Sequence, residues 1–266
     1  MRFSVRPGSR VRLDRIDTGD TSGFDGVKDA GRKELERLTD KLGQLQELLY
    51  AEHRHALLVV LQGMDSAGKD GTIRHVFRGV NPQGVHVASF KRPSELEYDH
   101  DFLWRIHRQT PALGEMVLFN RSHYEDVLVP RVHGSISRST WERRYREIND
   151  FEKTLTEEGT TVLKFFLHVG RAEQKRRLKE RLADPTKHWK FRSADVQERR
   201  LWDAYTRAYE EAISKTSTKW APWYIVPSDR KWYRNLIVSE QIVRTLRGLK
   251  MRYPSLPEVF RSTRVV

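Results

Sequence analysis

Seven residues have the types and the spacing to grip a phosphate: Gly63-Met64-Asp65-Ser66-Ala67-Gly68-Lys69, a G-x-x-x-x-G-K run. Glycines let successive backbone N–H groups curl around one anion, and a helix beginning near the lysine adds its positive end. Lys69 then supplies a full charge to a phosphoryl group in transit. Gly63, Ser66, Ala67 and Gly68, with Asp70, Gly71 and Thr72 just beyond, are therefore the expected phosphate- or nucleotide-binding residues. Such loops usually place Ser or Thr after the lysine, where its hydroxyl holds magnesium; this chain has Asp70. Asp65, inside the loop, is the candidate substitute, because hard cations take oxygen ligands.

A second constellation is Asn120-Arg121-Ser122-His123-Tyr124-Glu125-Asp126, which closes an apolar run. An acidic residue at such a strand end usually acts through magnesium. Asn120 offers a weaker, neutral oxygen in its place, Arg121 a cation, and Glu125 and Asp126 acidity one turn later. A polar strand cap before a surface helix would carry the same residues. A third segment, 171–200, holds 11 Lys or Arg against 5 Asp or Glu. Arg177 and Arg181 lie four apart and share a helix face. Asp184-Pro185 should end that helix, leaving Lys187, Trp189 and Lys190 in a loop. Kinases keep a mobile lid at this place in the chain, although a charge run is also the ordinary make-up of a solvated helix face. Lys91 and Arg92 add cations after an earlier strand. His100-Asp101-Phe102-Leu103-Trp104-Arg105 reads equally as a catalytic cluster or as a helix face of Phe102, Leu103 and Ile106 capped by His100.

These groups can meet only if a sheet brings their segments to one edge. Five apolar, β-rich runs are present: Ala56–Gln62, Val85–Phe90, Met116–Asn120, Thr161–Val169 and Trp223–Val226. Helical stretches are expected at 69–79, 95–109, 139–158, 171–183, 195–215 and 231–249. Continuous apolar strands alternating with helices predict a parallel sheet covered on both faces, an α/β class. Leu35, Leu38, Leu42, Leu45 and Leu49 predict a further amphipathic helix from Glu34. No linker divides the chain. One domain over 32–255 is expected, with an extended arm over 1–31 and a tail over 256–266.

The chain has 266 residues, 49 Lys or Arg against 36 Asp or Glu, a formal charge of +13 and no cysteine. Disulfides, thiolate nucleophiles and cysteine zinc sites are therefore excluded. The charge favours polyanionic partners: nucleic acid, an anionic membrane or polymeric phosphate. The start MRFSVRPGSR lacks the apolar core of a secretory signal, and no run is long enough to span a bilayer, so a cytoplasmic enzyme is expected.

Five ordered segments carry a resemblance to a known family: LLVVLQGMDSAGKDGT, SFKRPSELEYDHDFLWRIH, FNRSHYEDVLVPRVHG, LADPTKHWKF and APWYIVPSDRKWYRN. Together they resemble the polyphosphate kinase 2 family, and the asparagine-first NRSHYEDVL version is similar to its class III members. The resemblance implies a three-layer α/β/α P-loop kinase fold, thymidylate-kinase-like, with a five-stranded parallel sheet and a helical lid. It implies phosphoryl transfer from inorganic polyphosphate to AMP and ADP, giving ADP and ATP, with magnesium or, alternatively, manganese. Guanine nucleotides are further candidate acceptors. A homo-oligomer, dimer or tetramer, is expected, with neither a membrane nor a nucleic acid as partner. By the resemblance, Asp65 binds metal or orients the acceptor, and Lys69 and Arg121 hold the phosphates in transit. Arg177 and Arg181 are lid arginines, while Lys91 and Arg92 bind the chain or the nucleotide phosphates. Asn120 weakens metal ligation and Glu125 compensates. Gly63-Met64 stands where relatives often have Ala-Arg. An ATP-dependent nucleoside monophosphate kinase and a basic nucleic-acid-binding protein are the alternatives. Trp104, Trp189 and Trp232 are candidate base-stacking residues.

Overall fold

The computed structural model describes residues 3–191 and 193–256. Five strands form one parallel sheet: β1 (Ala56–Gln62), β2 (Val85–Ser89), β3 (Met116–Asn120), β4 (Thr160–His168) and β5 (Trp223–Pro227). Their spatial order is β2-β3-β1-β4-β5. All seven β1 residues are buried, as a central strand covered on both faces requires. The ten helices among the described residues are α1 (Lys28–Glu52), α2 (Lys69–Val76), α3 (Glu95–Tyr98), α4 (Trp104–His107), α5 (Glu125–Val132), α6 (Arg138–Glu157), α7 (Arg171–Ala183), α8 (Ser193–Arg200), α9 (Trp202–Thr216) and α10 (Lys231–Gly248).

Successive strand residues face opposite ways and build two cores. Leu58, Val60, Phe119, Val162 and Phe166 pack against α5, α6 and α9. Leu57, Val59, Leu61, Leu118 and Phe165 pack against α1, α2 and α10. The result is the expected three-layer α/β/α arrangement. It leaves the β1 and β3 loops side by side at the carboxyl edge of the sheet, where open α/β sheets bind ligands.

Three helix expectations need correction. The helix expected from Glu34 begins at Lys28. Its first turns carry few apolar residues, and Gly31 interrupts the period; a Cβ there would meet the Trp232 ring at 2.3 Å. The helix expected over 95–109 is two single turns, α3 and α4. Ser94 caps α3 with a full capping box, and Asp101 accepts from Leu103 N–H, so the chain turns between them. The helix expected over 195–215 divides at Leu201 into α8 and α9. The loop expected at 185–190 is a 3-10 helix, Pro185–Lys190. The tail beyond Leu256 and the Lys190 side chain lie outside the described residues.

The N-terminal residues lie along β5. Val5 N–H donates to the Trp223 carbonyl at 2.8 Å and Ile225 N–H to that of Phe3 at 2.9 Å, which covers the sheet edge. Val11 and Leu13 are buried, and the His168 ring donates from Nε2 to the Leu13 carbonyl at 3.1 Å. Burial holds the His168 pKa below the ordinary 6.5, although the Leu13 and Ile16 carbonyls oppose this. Its protonation therefore favours the unfolded chain. The stability it allows is complete above that value and is lost as pH falls below it. Melting temperatures at about pH 7.5 and about pH 5.5 should differ less for His168→Gln than for wild type. Equal differences would show that His168 does not titrate on unfolding.

Candidate active site

The loop after β1 follows its own sequence signals. Gly63 (φ +152°) and Gly68 (φ +112°) take conformations that L side chains rarely adopt, and a Cβ on Gly63 would meet the Leu167 carbonyl at 2.7 Å. Ser66 is also left-handed, at φ +64°. Ala67 N–H closes a turn on the Met64 carbonyl, and α2 starts at Lys69. The Ser66 and Thr72 hydroxyls are buried without a hydrogen-bond partner among the described residues. Unpaired groups of this kind are costly unless a ligand satisfies them.

Lys69 is buried and donates from Nζ to the Gly63 carbonyl at 2.7 Å and the Met64 carbonyl at 3.4 Å. Burial lowers its pKa, helped by Arg121, while Asp65, Glu125 and Asp70 pull it back up. The β3 tip stands opposite. Arg121, itself left-handed at φ +65°, donates from Nη2 to Asp65 Oδ1 at 3.0 Å. Burial alone would lower its pKa, but Glu125 and Asp65 keep it above the ordinary value. Glu125 is held above the usual carboxylate range by burial, which outweighs Arg121 and Lys69. Asn120 donates from Nδ2 to Asp70 Oδ1 at 2.9 Å.

Asp65, Arg121 and Glu125 line one cavity of about 1040 Å³, with Gly63, Lys91 and Arg92. Lys91 is fixed by Arg105, the last residue of the His100–Arg105 run. Arg105, buried at the cavity wall, donates from Nη1 to the Lys91 carbonyl at 2.8 Å and from Nη2 to Asp126 Oδ2 at 2.9 Å. Arg144 donates to the Asp126 carbonyl at 2.5 Å. The loop after β2 is thereby tied to the β3 tip. His100 also lines the cavity and stacks on Trp104 at 4.0 Å, with Arg108 above that ring at 4.7 Å. His100 thus does not cap a helix, since Ser94 and Leu103 hold those positions, and neighbours already meet the Trp104 ring. Trp232 packs edge-on against Phe24 and Tyr233, and Trp189 is 77% exposed.

The lid segment departs most from expectation. Arg177 does not reach over the cavity: it is 6% exposed and donates to the Ser66 and Ala67 carbonyls, both at 2.9 Å. Gln174, Arg177 and Leu178 form the inward stripe of α7, because a helix repeats its face every three or four residues. Arg181 lies one turn further out and is partly exposed, and Lys187 pairs with Asp184 at 2.5 Å. The arginine from this segment that lines the cavity is Arg199 on α8, which sequence reasoning did not select. It hydrogen-bonds Gln174 and the Arg171 carbonyl, while Glu198 pairs with His133 at 3.0 Å. These contacts fold α8 down toward the body of the protein.

The family model described as polyphosphate kinase 2 matches residues 26–254. An AMP/ADP-polyphosphate phosphotransferase of Meiothermus ruber is 56% identical over 253 residues, which span 95% of each chain. An ADP-polyphosphate phosphotransferase of Rhodopseudomonas palustris is 46% identical over 264 residues, 95% of this chain and 91% of the relative. The crystal structure of polyphosphate kinase 2 from Arthrobacter aurescens TC1 superposes with a TM-score of 0.92 at 45% identity, over 96% of this chain and 90% of that one. A sheet of this order with the 63–69 glycine loop at its carboxyl edge, and agreement over nearly the whole chain, lead to one conclusion: the chain belongs to the polyphosphate kinase 2 family.

Proposed function

We propose that this chain transfers the terminal phosphoryl group of inorganic polyphosphate to AMP and ADP, with the 63–72 loop holding the phosphates in transit. The observation that carries the reading is that Arg121, Asp65, Glu125, Lys91 and Arg92 line one cavity, with the buried Lys69 held directly behind it on the carbonyls of Gly63 and Met64, which also line it. Polyphosphate has no base or sugar to recognise, so cations and backbone N–H groups must bind it. An acceptor phosphate is already anionic near neutral pH, so no general base is required. Positioning and charge neutralisation then carry the rate. Lys69 and Arg121 are placed to neutralise the transferring group, and Lys91 and Arg92 to hold flanking phosphates.

Asp65 and Glu125 fit a magnesium ion. They are two carboxylates on one cavity, and this metal takes one or two protein carboxylates together with substrate oxygens. Asn120 is the weaker partner, because its amide oxygen carries no charge; its nitrogen is turned to Asp70. When bound, the metal supplies neutralising charge to phosphate oxygens. Manganese takes the same hard donors.

The direct test mixes protein, magnesium, short-chain polyphosphate and ADP, then measures ATP; AMP replaces ADP in a second arm, and ATP replaces polyphosphate in a third. ATP formed only from polyphosphate supports the reading, and transfer to AMP from ATP alone would sink it. Arg181 reaches the phosphates only if the lid moves, and a group recruited in that way acts mainly in the transition state. Arg181→Ala should lower kcat about tenfold or more with little change in the AMP dissociation constant. A raised KM at unchanged kcat would refute that role.

A further inference from the structure

Two buried arginines hold the phosphate loop by its carbonyls. Arg177 spans from the Ser66 and Ala67 carbonyls to those of Ser228, at 2.5 Å, and Asp229, at 3.1 Å. Arg234 on α10, 3% exposed, donates from Nη1 to the same Ala67 carbonyl at 3.1 Å. A Cβ on Gly68 would lie 1.8 Å from that Nη1, so loop and guanidinium are in direct contact. In a planar trans peptide, C=O and N–H point in opposite directions. Pinning the Ala67 carbonyl therefore sets the direction of the Gly68 N–H.

The charges around this clamp do not balance. Among the described residues Arg177 has one carboxylate partner, Glu173, at 2.7 Å. Arg234 otherwise donates to Asn235 Oδ1, at 3.1 and 2.8 Å, and among the described residues only these neutral oxygens accept from it. Burial, with repulsion from Arg177, pushes the Arg234 pKa down to about 9, still charged at neutral pH. Burying a charge without a counterion is costly. Packing alone does not call for a charge here, since an uncharged donor could also serve the Ala67 carbonyl.

We propose that Arg177 and Arg234 are positioning residues for phosphoryl transfer: a charged clamp that orients the peptides at 66–68 and is balanced by the polyanion in the loop. This rests on the reading that the 63–72 loop holds the phosphates. The clamp would act through the loop and touch neither substrate.

The test uses the full chain with sodium tripolyphosphate as probe, followed by calorimetry and thermal unfolding, in Arg234→Gln and Arg234→Lys. Gln keeps a donor for Ala67 and removes the charge; Lys keeps the charge and removes the planar fork. Tripolyphosphate binding should weaken about tenfold or more in Arg234→Gln and stay within about threefold of wild type in Arg234→Lys. Without ligand, Arg234→Gln should melt no lower than wild type, yet tripolyphosphate should raise its melting temperature less. A purely structural arginine would lower the unliganded melting temperature and leave that ligand-induced rise intact. Wild-type affinity in Arg234→Gln overturns the proposal, as does equal weakening in both variants. If Arg234→Gln does not fold, Arg234→Lys decides: retained affinity supports the charge, and a tenfold loss overturns it. Lys69→Ala is the control for the underlying reading. If it too binds tripolyphosphate normally, the loop assignment fails; if it alone loses binding, only the clamp fails.

Discussion

Lys69→Ala is expected to lower the rate of ATP formation from ADP and polyphosphate roughly a thousandfold, the scale of losing one preorganised charge aimed at a reacting group. The side chain is buried and held by two carbonyls of its own loop, so its ammonium is already placed before any substrate arrives. Such placement avoids reorganisation at the moment of transfer, which is why one cation counts for so much. Arg121 acts beside the ammonium and cannot move into its place, because its contact with Asp65 at 3.0 Å anchors it at the β3 tip. Without the ammonium, Asp65 and Glu125 would repel an incoming phosphate with only Arg121 to offset them. The effect should fall on kcat, with the AMP dissociation constant within a few-fold of wild type. A variant retaining most of its turnover would mean that the 63–69 loop does not hold the transferring group.

How far such a site can be read in advance depends on the range of the contacts that build it. The β1 and β3 runs appear in the fold with the boundaries their apolar residues gave them, Ala56–Gln62 and Met116–Asn120. A strand buried on both faces must be apolar throughout, so its ends show in the sequence. The phosphate loop, Arg121 and Glu125 were legible for a similar reason: each belongs to a short motif tied to a strand end. The region 95–109 was not, because Phe102, Leu103 and Ile106 keep helical spacing while Ser94 and Asp101 impose separate turns. Arg177 illustrates a different limit. The run around it announced charge, but not which arginine turns inward. The buried Gln174 and Leu178 mark that face, a three-and-four spacing that the abundance of basic residues hid. Arg234 lies 167 residues from the Ala67 carbonyl it serves, and no local pattern could connect them. Arg105 and Arg199 likewise take their meaning from partners on other elements.

A lysine stands in the middle of the apolar strand TTVLKFFLH, against the pattern of its neighbours. Lys164 is wholly buried on the face that meets α6 and α9. Its Nζ donates to Glu152 Oε2 at 2.6 Å, Tyr124 Oη at 3.0 Å and the Thr216 carbonyl at 2.7 Å. Glu152 also accepts from Tyr124 at 2.9 Å and from His123 at 3.2 Å, both beneath the β3 tip. Burial would raise the Glu152 pKa, but Lys164 and His123 hold it below the ordinary 4.5. Its ionised form therefore stabilises the fold above that value, and the stabilisation is lost as pH falls below it. Removing one partner of such a pair leaves the other charge uncompensated, so Lys164→Met should cost about 3–5 kcal/mol. At this chain length that lowers the melting temperature by roughly 10 °C. Replacing both groups removes the stranded charge, so Lys164→Met with Glu152→Leu should recover most of the loss and unfold less readily in acid than the single variant. Urea unfolding of wild type, the single variant and the double variant near pH 7 decides the matter. A single variant as stable as wild type, or a double variant no better than the single, would show that the pair is not coupled in this way. The pair spans β4 and α6 and reaches Tyr124 directly, so the β3 tip that carries Arg121 and Glu125 stands on a segment braced by two buried charges.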